Sequence, residues 1–198
     1  MMRIAYLHGF NSGPASAKGQ ALGRAIAALP PTRRPEYFLP RLPTSLAEAI
    51  DAVERWAGSA ERDELSFVGS SLGGFYATRL AQARGARAIL INPVIDPERA
   101  LAPYLGRQSN PATGEQYELT PRFLAELCAL KVERITDPGR YLLLAQAGDE
   151  LLDWRRAAAF YAGAWQFIQG DGDHAYRDFG RQLPLVLRFA GVDARPAA

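Results

Sequence analysis

Short apolar runs alternate with segments of helical periodicity along most of the chain. Residues 3–7 read as a buried strand, followed by the polar turn His8-Gly9-Phe10-Asn11-Ser12-Gly13-Pro14. Over residues 15–29 the apolar positions Leu22, Ile26 and Leu29 fall on one helical face. A short strand is expected at 36–39 and a helix at 45–58, where Ser45 and Glu48 have the spacing of a capping box. Leu65-Ser66-Phe67-Val68 forms a third apolar run, stopped by Gly69, and 72–84 a helix. Further strands are expected at 86–91, 141–145 and 165–168, with helices at 153–162 and 177–189. The stretch 96–130 is the least regular, with a Pro/Gly-containing segment at 108–114 and a helical patch at 122–130. The tail from Asp193 to Ala198 reads as frayed.

Strand–helix alternation of this kind implies a parallel sheet covered on both faces. The expected architecture is α/β, a three-layer α/β/α sandwich around six mainly parallel strands. No repeat, low-complexity segment or linker interrupts the pattern, so residues 1–198 read as one domain.

Composition narrows the function classes. The 198 residues are 48% hydrophobic and carry a formal net charge of +2, too small to suggest a nucleic-acid or membrane partner. Lys18 and Lys131 are the only lysines, and the arginines are scattered rather than clustered. A single cysteine, Cys128, excludes an internal disulfide and a cysteine metal cluster; its apolar surroundings suggest a small buried hydrophobe. Neither a signal peptide nor an apolar run of membrane-spanning length is present, so a cytoplasmic protein is the expectation.

Gly69-Ser70-Ser71-Leu72-Gly73 matches G-x-S-x-G, the nucleophile elbow. Five letters alone are weak, but this match follows an apolar strand and opens directly into a helix. That setting is the one the motif requires: the turn forces an unusual backbone angle on the serine, and the glycines let strand and helix approach. Ser71 therefore reads as the nucleophile. Ser70 lacks a glycine two positions ahead and falls at the strand end, which makes it the weaker choice.

A serine hydroxyl needs an adjacent base. His174 lies in a polar loop between the last strand and the closing helix, where the chain order Ser…Asp/Glu…His places it. The acid should follow the penultimate strand, where Asp149 comes first; Glu150 and Asp153 stay open, and Asp96 is less favoured. Asp171 and Asp173 read as loop residues. The backbone N–H groups of Leu72 and Phe10 are the candidate oxyanion donors, with Gly9 allowing close approach. His8 reads as orienting that loop.

Six blocks carry a resemblance to a known family: Tyr6–Ser12, Val68–Thr78, Ile91-Asn92-Pro93, Asn110–Tyr117, Gln146–Asp153 and Gly172–Ala175. In this order they resemble the YqiA-like small bacterial esterases and cover nearly the whole chain. The resemblance implies an α/β-hydrolase core with its six strands, numbered in chain order, arranged 2-1-3-4-5-6, esterase activity on acyl esters, possible activity on acyl-CoA thioesters, and Ser71, Asp149 and His174 as the triad. Two-step acyl transfer on a small-molecule ester or thioester needs no metal or organic cofactor. Tyr104, Tyr117 and Phe123 either line an acyl pocket or pack the segment 96–130, a possible small lid, against the sheet. The mild preference is for short to medium acyl groups. A non-catalytic binding protein with the same fold is the rival from another class.

Overall fold

The computed structural model describes residues 1–193. The expected fraying therefore lies, beyond Asp193, outside the described residues. Six strands form one sheet: β1 (Arg3–Leu7), β2 (Glu36–Phe38), β3 (Leu65–Ser70), β4 (Arg87–Ile91), β7 (Tyr141–Gln146) and β8 (Trp165–Gln169). Their order is β2-β1-β3-β4-β7-β8, and every neighbouring pair is parallel. The remaining strands, β5 (Gly106–Ser109) and β6 (Gln116–Leu119), pair antiparallel as a separate hairpin.

Side-chain alternation along the strands divides the core in two. Ile4, Tyr6, Val68, Ile89, Ile91, Leu142 and Leu144 face α1 (Ala17–Ala27) and α7 (Leu183–Phe189). Ala5, Leu7, Phe67, Ala88, Leu90 and Leu143 face the opposite layer of α2 (Leu46–Ala57), α3 (Leu72–Arg84) and α6 (Trp154–Phe160). This is the expected three-layer α/β/α architecture. Among the described residues no helix is long and apolar enough to cross a membrane.

Helix starts follow their caps. Ser45 caps α2 by accepting from the Glu48 N–H, as its spacing predicts, and Ser16 starts α1 at Ala17 rather than at residue 15. The expected closing helix at 177–189 is shorter. Tyr176 adopts a positive φ, and a 3₁₀ turn over Phe179–Gln182 precedes α7, with Pro184 in its first turn. The third strand runs on through Gly69 to Ser70 instead of stopping at the glycine.

Segment 96–130 is more ordered than its composition suggests. It holds α4 (Pro97–Leu101), the β5–β6 hairpin and α5 (Pro121–Ala129). The hairpin leaves little periodic signal because each strand has four residues and only Tyr117 and Leu119, both in β6, mark its inward face. Cys128 is a correction: it is exposed on α5, which buries only Leu127, and its thiol lies 3.5 Å from Glu98. A helix that packs through so narrow a stripe turns the next position toward solvent.

The chain leaves β1 for β2 on one side of the sheet and returns to β3 on the other. That reversal opens a crevice at the carboxyl ends of β1 and β3, where parallel sheets bind ligands. Helix α3 fits against this edge because it begins with glycines. A Cβ on Gly73 would overlap the Leu7 carbonyl oxygen, and one on Gly74 would sit 2.6 Å from Pro93 Cβ. Substitution Gly73→Ala is expected to destabilise the protein by about 3 kcal/mol or more, read by urea unfolding, because backbone rather than a flexible side chain must move.

Candidate active site

Ser71 joins β3 to α3 at φ 56°, ψ −121°. Its N–H donates to the Ile91 carbonyl (3.0 Å), and its own carbonyl accepts from Gly74 N (2.9 Å) and Val94 N (3.0 Å). Although Ser71 occupies the N-cap of α3, its side chain caps nothing in the helix. The hydroxyl turns outward instead, with Oγ 3.1 Å from His174 Nε2. On the far side of the imidazole, Nδ1 lies 2.8 Å from Asp149 Oδ2 and 3.0 Å from Oδ1.

The Asp149 side chain is only 2% exposed. Its Oδ1 also accepts the backbone N–H groups of Leu151 (2.9 Å) and Leu152 (2.8 Å), which aim the second oxygen at the histidine. A carboxylate so placed accepts Nδ1–H and leaves the Nε2 lone pair toward the Ser71 hydroxyl. His174 is thus within hydrogen-bond reach of both Ser71 and Asp149, an arrangement that acyl transfer could use.

The other acids lie elsewhere. Asp96 is bound by Lys131 (2.8 Å) and Arg156, and these hydrogen bonds, with the Lys131 ammonium foremost, hold its carboxyl below the usual range. Asp153 caps α6. Glu150 accepts the His174 backbone N–H at 2.9 Å, and this bond is the main cause of its lowered pKa. Asp173 pairs with Arg177. Ser70 is buried behind Ser71, at 6% exposure.

Ser71 and His174 open onto a cleft of about 820 Å³. Phe10 and Leu72 line it beside the serine. Leu72 N–H is in the first turn of α3 and has no intrahelical acceptor, while among the described residues Phe10 N–H donates to no backbone group. Gly9 makes this approach possible, since a Cβ there would stand 3.1 Å from Ser71 Cβ. Leu101, Tyr104, Leu152 and Trp154 form apolar wall, with Arg99 and Asp96 among the polar groups. Of the three aromatics singled out in the sequence, only Tyr104 lines this cleft. Tyr117 and Phe123 line a smaller cavity of about 50 Å³ shared with Phe10.

His8 orients its loop, in keeping with the sequence reading. Leu42 N–H donates to Nε2 (3.2 Å), so Nδ1 carries the proton and faces the Gly9 carbonyl at 3.1 Å. Burial lowers its pKa from 6.5, with the Gly9 carbonyl partly opposing.

A set of polar residues that sequence reasoning did not single out holds the His174 loop. Asn92, at the end of β4, donates from Nδ2 to the carbonyls of Asp173 (3.0 Å) and His174 (3.2 Å), and its Oδ1 accepts Gln146 N–H (2.9 Å). Gln146, ending β7, accepts Asp173 N–H through Oε1 (2.9 Å) and donates to Asp178 (2.7 Å). Lys18 donates to the Ala175 carbonyl (2.6 Å); burial lowers its ammonium to about 8, against the pull of Asp173 and Asp149. The available signal was a polar residue closing an apolar strand, at Ile91-Asn92 and again at Ala145-Gln146. Gly148 and Gly172 let the acid and base loops touch: a Cβ on Gly148 would overlap the Gly172 carbonyl oxygen.

The profile of an uncharacterised protein family, UPF0227, matches residues 3–191. UPF0227 proteins from two strains of Vibrio vulnificus are each 24% identical over 187 residues, covering 94% of this chain and 97% of theirs. Among solved structures, the mouse alpha/beta hydrolase domain-containing protein 10 superposes with a TM-score of 0.73 at 16% identity, covering 96% of this chain and 89% of that one. Est1E from Butyrivibrio proteoclasticus, in a structure with ferulic acid bound, gives 0.63 at 14% identity, covering 96% and 86%. An esterase domain from Rhodothermus marinus gives 0.63 at 18% identity, covering 94% and 86%. At these identities the likeness to solved structures establishes a common α/β-hydrolase fold.

The buried His8 makes stability depend on pH. Its folded pKa is depressed, so below about 6.5 the unfolded chain binds a proton that the folded one refuses, and stability falls as pH drops. Between pH 6.5 and 5.5 the wild type should lose more stability than His8→Gln, by up to about 1 kcal/mol over that interval. Urea unfolding at stepped pH measures this; equal slopes would contradict it.

Proposed function

The chain belongs to the uncharacterised UPF0227 protein family, and on that footing we propose that it is a serine esterase acting on carboxylic esters of short to medium acyl chains. The observation that carries this reading is the continuous bonded line from Asp149 through His174 to the Ser71 hydroxyl at the mouth of the cleft.

The reaction follows from that line. The Ser71 proton passes to His174 Nε2 as Oγ bonds to the ester carbonyl carbon. Asp149 stabilises the imidazolium so formed without taking its proton. The carbonyl oxygen becomes an oxyanion, and the N–H groups of Phe10 and Leu72 donate to it, with the N-terminus of α3 favouring the charge. Collapse breaks the ester C–O bond, and His174 returns the proton to the leaving alkoxide. Water, deprotonated by the same Nε2, then attacks the acyl-enzyme and releases the acid and Ser71. The apolar wall of Leu101, Tyr104, Leu152 and Trp154 takes the acyl group, and the first part of segment 96–130, up to Tyr104, frames the mouth of the cleft in one hydrolase domain.

A fluorophosphonate reports an activated serine directly. Intact-mass analysis should find one adduct on wild type and on Ser70→Ala, and none on Ser71→Ala. No adduct on the wild type at neutral pH would overturn the hydrolase reading and favour a binding protein. Substitution Asp149→Asn should lower kcat on p-nitrophenyl butyrate by about four orders of magnitude, since the amide favours the wrong imidazole tautomer. A loss below tenfold would mean that Asp149 does not set the tautomer of His174.

A further inference from the structure

The block Asn110–Tyr117, part of the family resemblance, has no part in the acyl-transfer steps. It forms the turn and second strand of the β5–β6 hairpin, and its polar side chains are spent on the loop that follows β1. Tyr117 hydroxyl donates to Asn11 Oδ1 at 2.7 Å. Asn11 Nδ2 donates to Gln108 Oε1 at 3.3 Å, and Asn110 Nδ2 donates to the Ser12 carbonyl at 3.0 Å. The Phe10 ring packs at 5.5 Å against Tyr104 and edge-on at 6.3 Å against Tyr117.

Asn11 sits at φ 51°, a backbone state that asparagine tolerates better than most residues but that still needs support. It directly follows Phe10, whose N–H is the second oxyanion donor of the esterase reading. The turn itself is stiff. Asn110 Oδ1 accepts Ala112 N–H (2.9 Å), Asn110 N–H donates to the Glu115 carbonyl (2.8 Å), and Pro111 and Gly114 supply the backbone angles a turn demands. Asn110 therefore shapes its own turn with one end of its amide and grips the β1 loop with the other.

We propose that the β5–β6 hairpin is a fixed brace for the oxyanion loop, and that Tyr117 is a positioning residue acting through Asn11 on the Phe10 N–H. A moving lid would have to break these bonds at every turnover, along with the Arg41–Glu115 ion pair at 3.0 Å that ties the hairpin to the adjoining loop. A brace keeps them. The inference rests on the esterase reading but adds to it, since it assigns a task to a segment outside the triad. Charge develops on the substrate oxygen only as the tetrahedral state forms. A misplaced Phe10 N–H therefore weakens the transition state more than the bound ester.

The test is a double-mutant cycle on p-nitrophenyl butyrate. Tyr117→Phe removes one hydroxyl and keeps the ring; Asn11→Gly removes the acceptor and keeps the positive φ accessible. Tyr117→Phe should lower kcat by about three- to tenfold with KM within about twofold. Combined with Asn11→Gly it should add nothing to the loss that Asn11→Gly causes alone. Multiplying losses, a change confined to KM, or an unaltered kcat would each overturn the brace, even with Ser71 still labelled by fluorophosphonate. Melting temperatures measured alongside separate a positioning effect from general unfolding. If the wild type shows neither adduct nor turnover, the esterase reading fails and the brace with it.

Discussion

Ser71 occupies a backbone state that a side-chain-bearing residue adopts only under constraint, at a cost of about 1–3 kcal/mol. Everything near it is arranged to enforce that state. Its N–H is taken by β4 and its carbonyl by α3 and by Val94 beyond β4, so the residue cannot relax without breaking bonds to two neighbours. The glycines exist on the same terms: Gly69, Gly73 and Gly74 bring strand and helix together at distances no Cβ would allow. Strain at one residue is thereby converted into exposure of one hydroxyl at the sheet's carboxyl edge.

The His174 imidazole is placed by different means. His174 belongs to an irregular loop with no regular ladder to hold it, and a loop of that kind would ordinarily move. Here Asn92 and Gln146 reach out from the ends of two neighbouring strands and bond its backbone, while Glu150 takes its N–H and Lys18 secures the next carbonyl. The rigidity of the sheet is passed to the loop through side-chain amides. Each of these amides has its donors and acceptors matched, which is the condition for a buried polar network to stabilise rather than weaken a fold. The loop that follows β1 has the analogous support from His8 on one side and the β5–β6 hairpin on the other.

Much of this was legible in the chain alone. Buried parallel strands read as continuous apolar runs, and their alternation with helices specifies a parallel sheet of six strands, while the order of those strands came with the family resemblance. The elbow at Ser71, the late loop histidine His174 and a set of post-strand acids led by Asp149 also stood out as candidates, because each is a constraint on local sequence. The hairpin did not. Gly106-Arg107-Gln108-Ser109 carries no large apolar residue and Gln116-Tyr117-Glu118-Leu119 only two, Tyr117 and Leu119, an alternation too short to mark a strand, so the turn residues between them were the clearer hint. Cys128 misled for the opposite reason, since an apolar neighbourhood in sequence says little about which side of a shallowly packed helix meets solvent.

What the sequence by itself determined is therefore the local and periodic part: which segments become strands and helices, where the strained turn falls, and which residue types stand at the strand ends. Those properties depend on neighbours a few positions away. Only the tertiary structure decided that Asp149 rather than Asp96 meets the histidine, with Asp96 held by Lys131 and Arg156 instead. It also decided that Asn92 and Gln146 hold the loop carrying His174, and that Tyr117 turns to Asn11 rather than to the cleft. A hydrogen bond between residues tens of positions apart leaves no period and no spacing in the chain. It comes into being when packing brings a donor within about 3 Å of an acceptor.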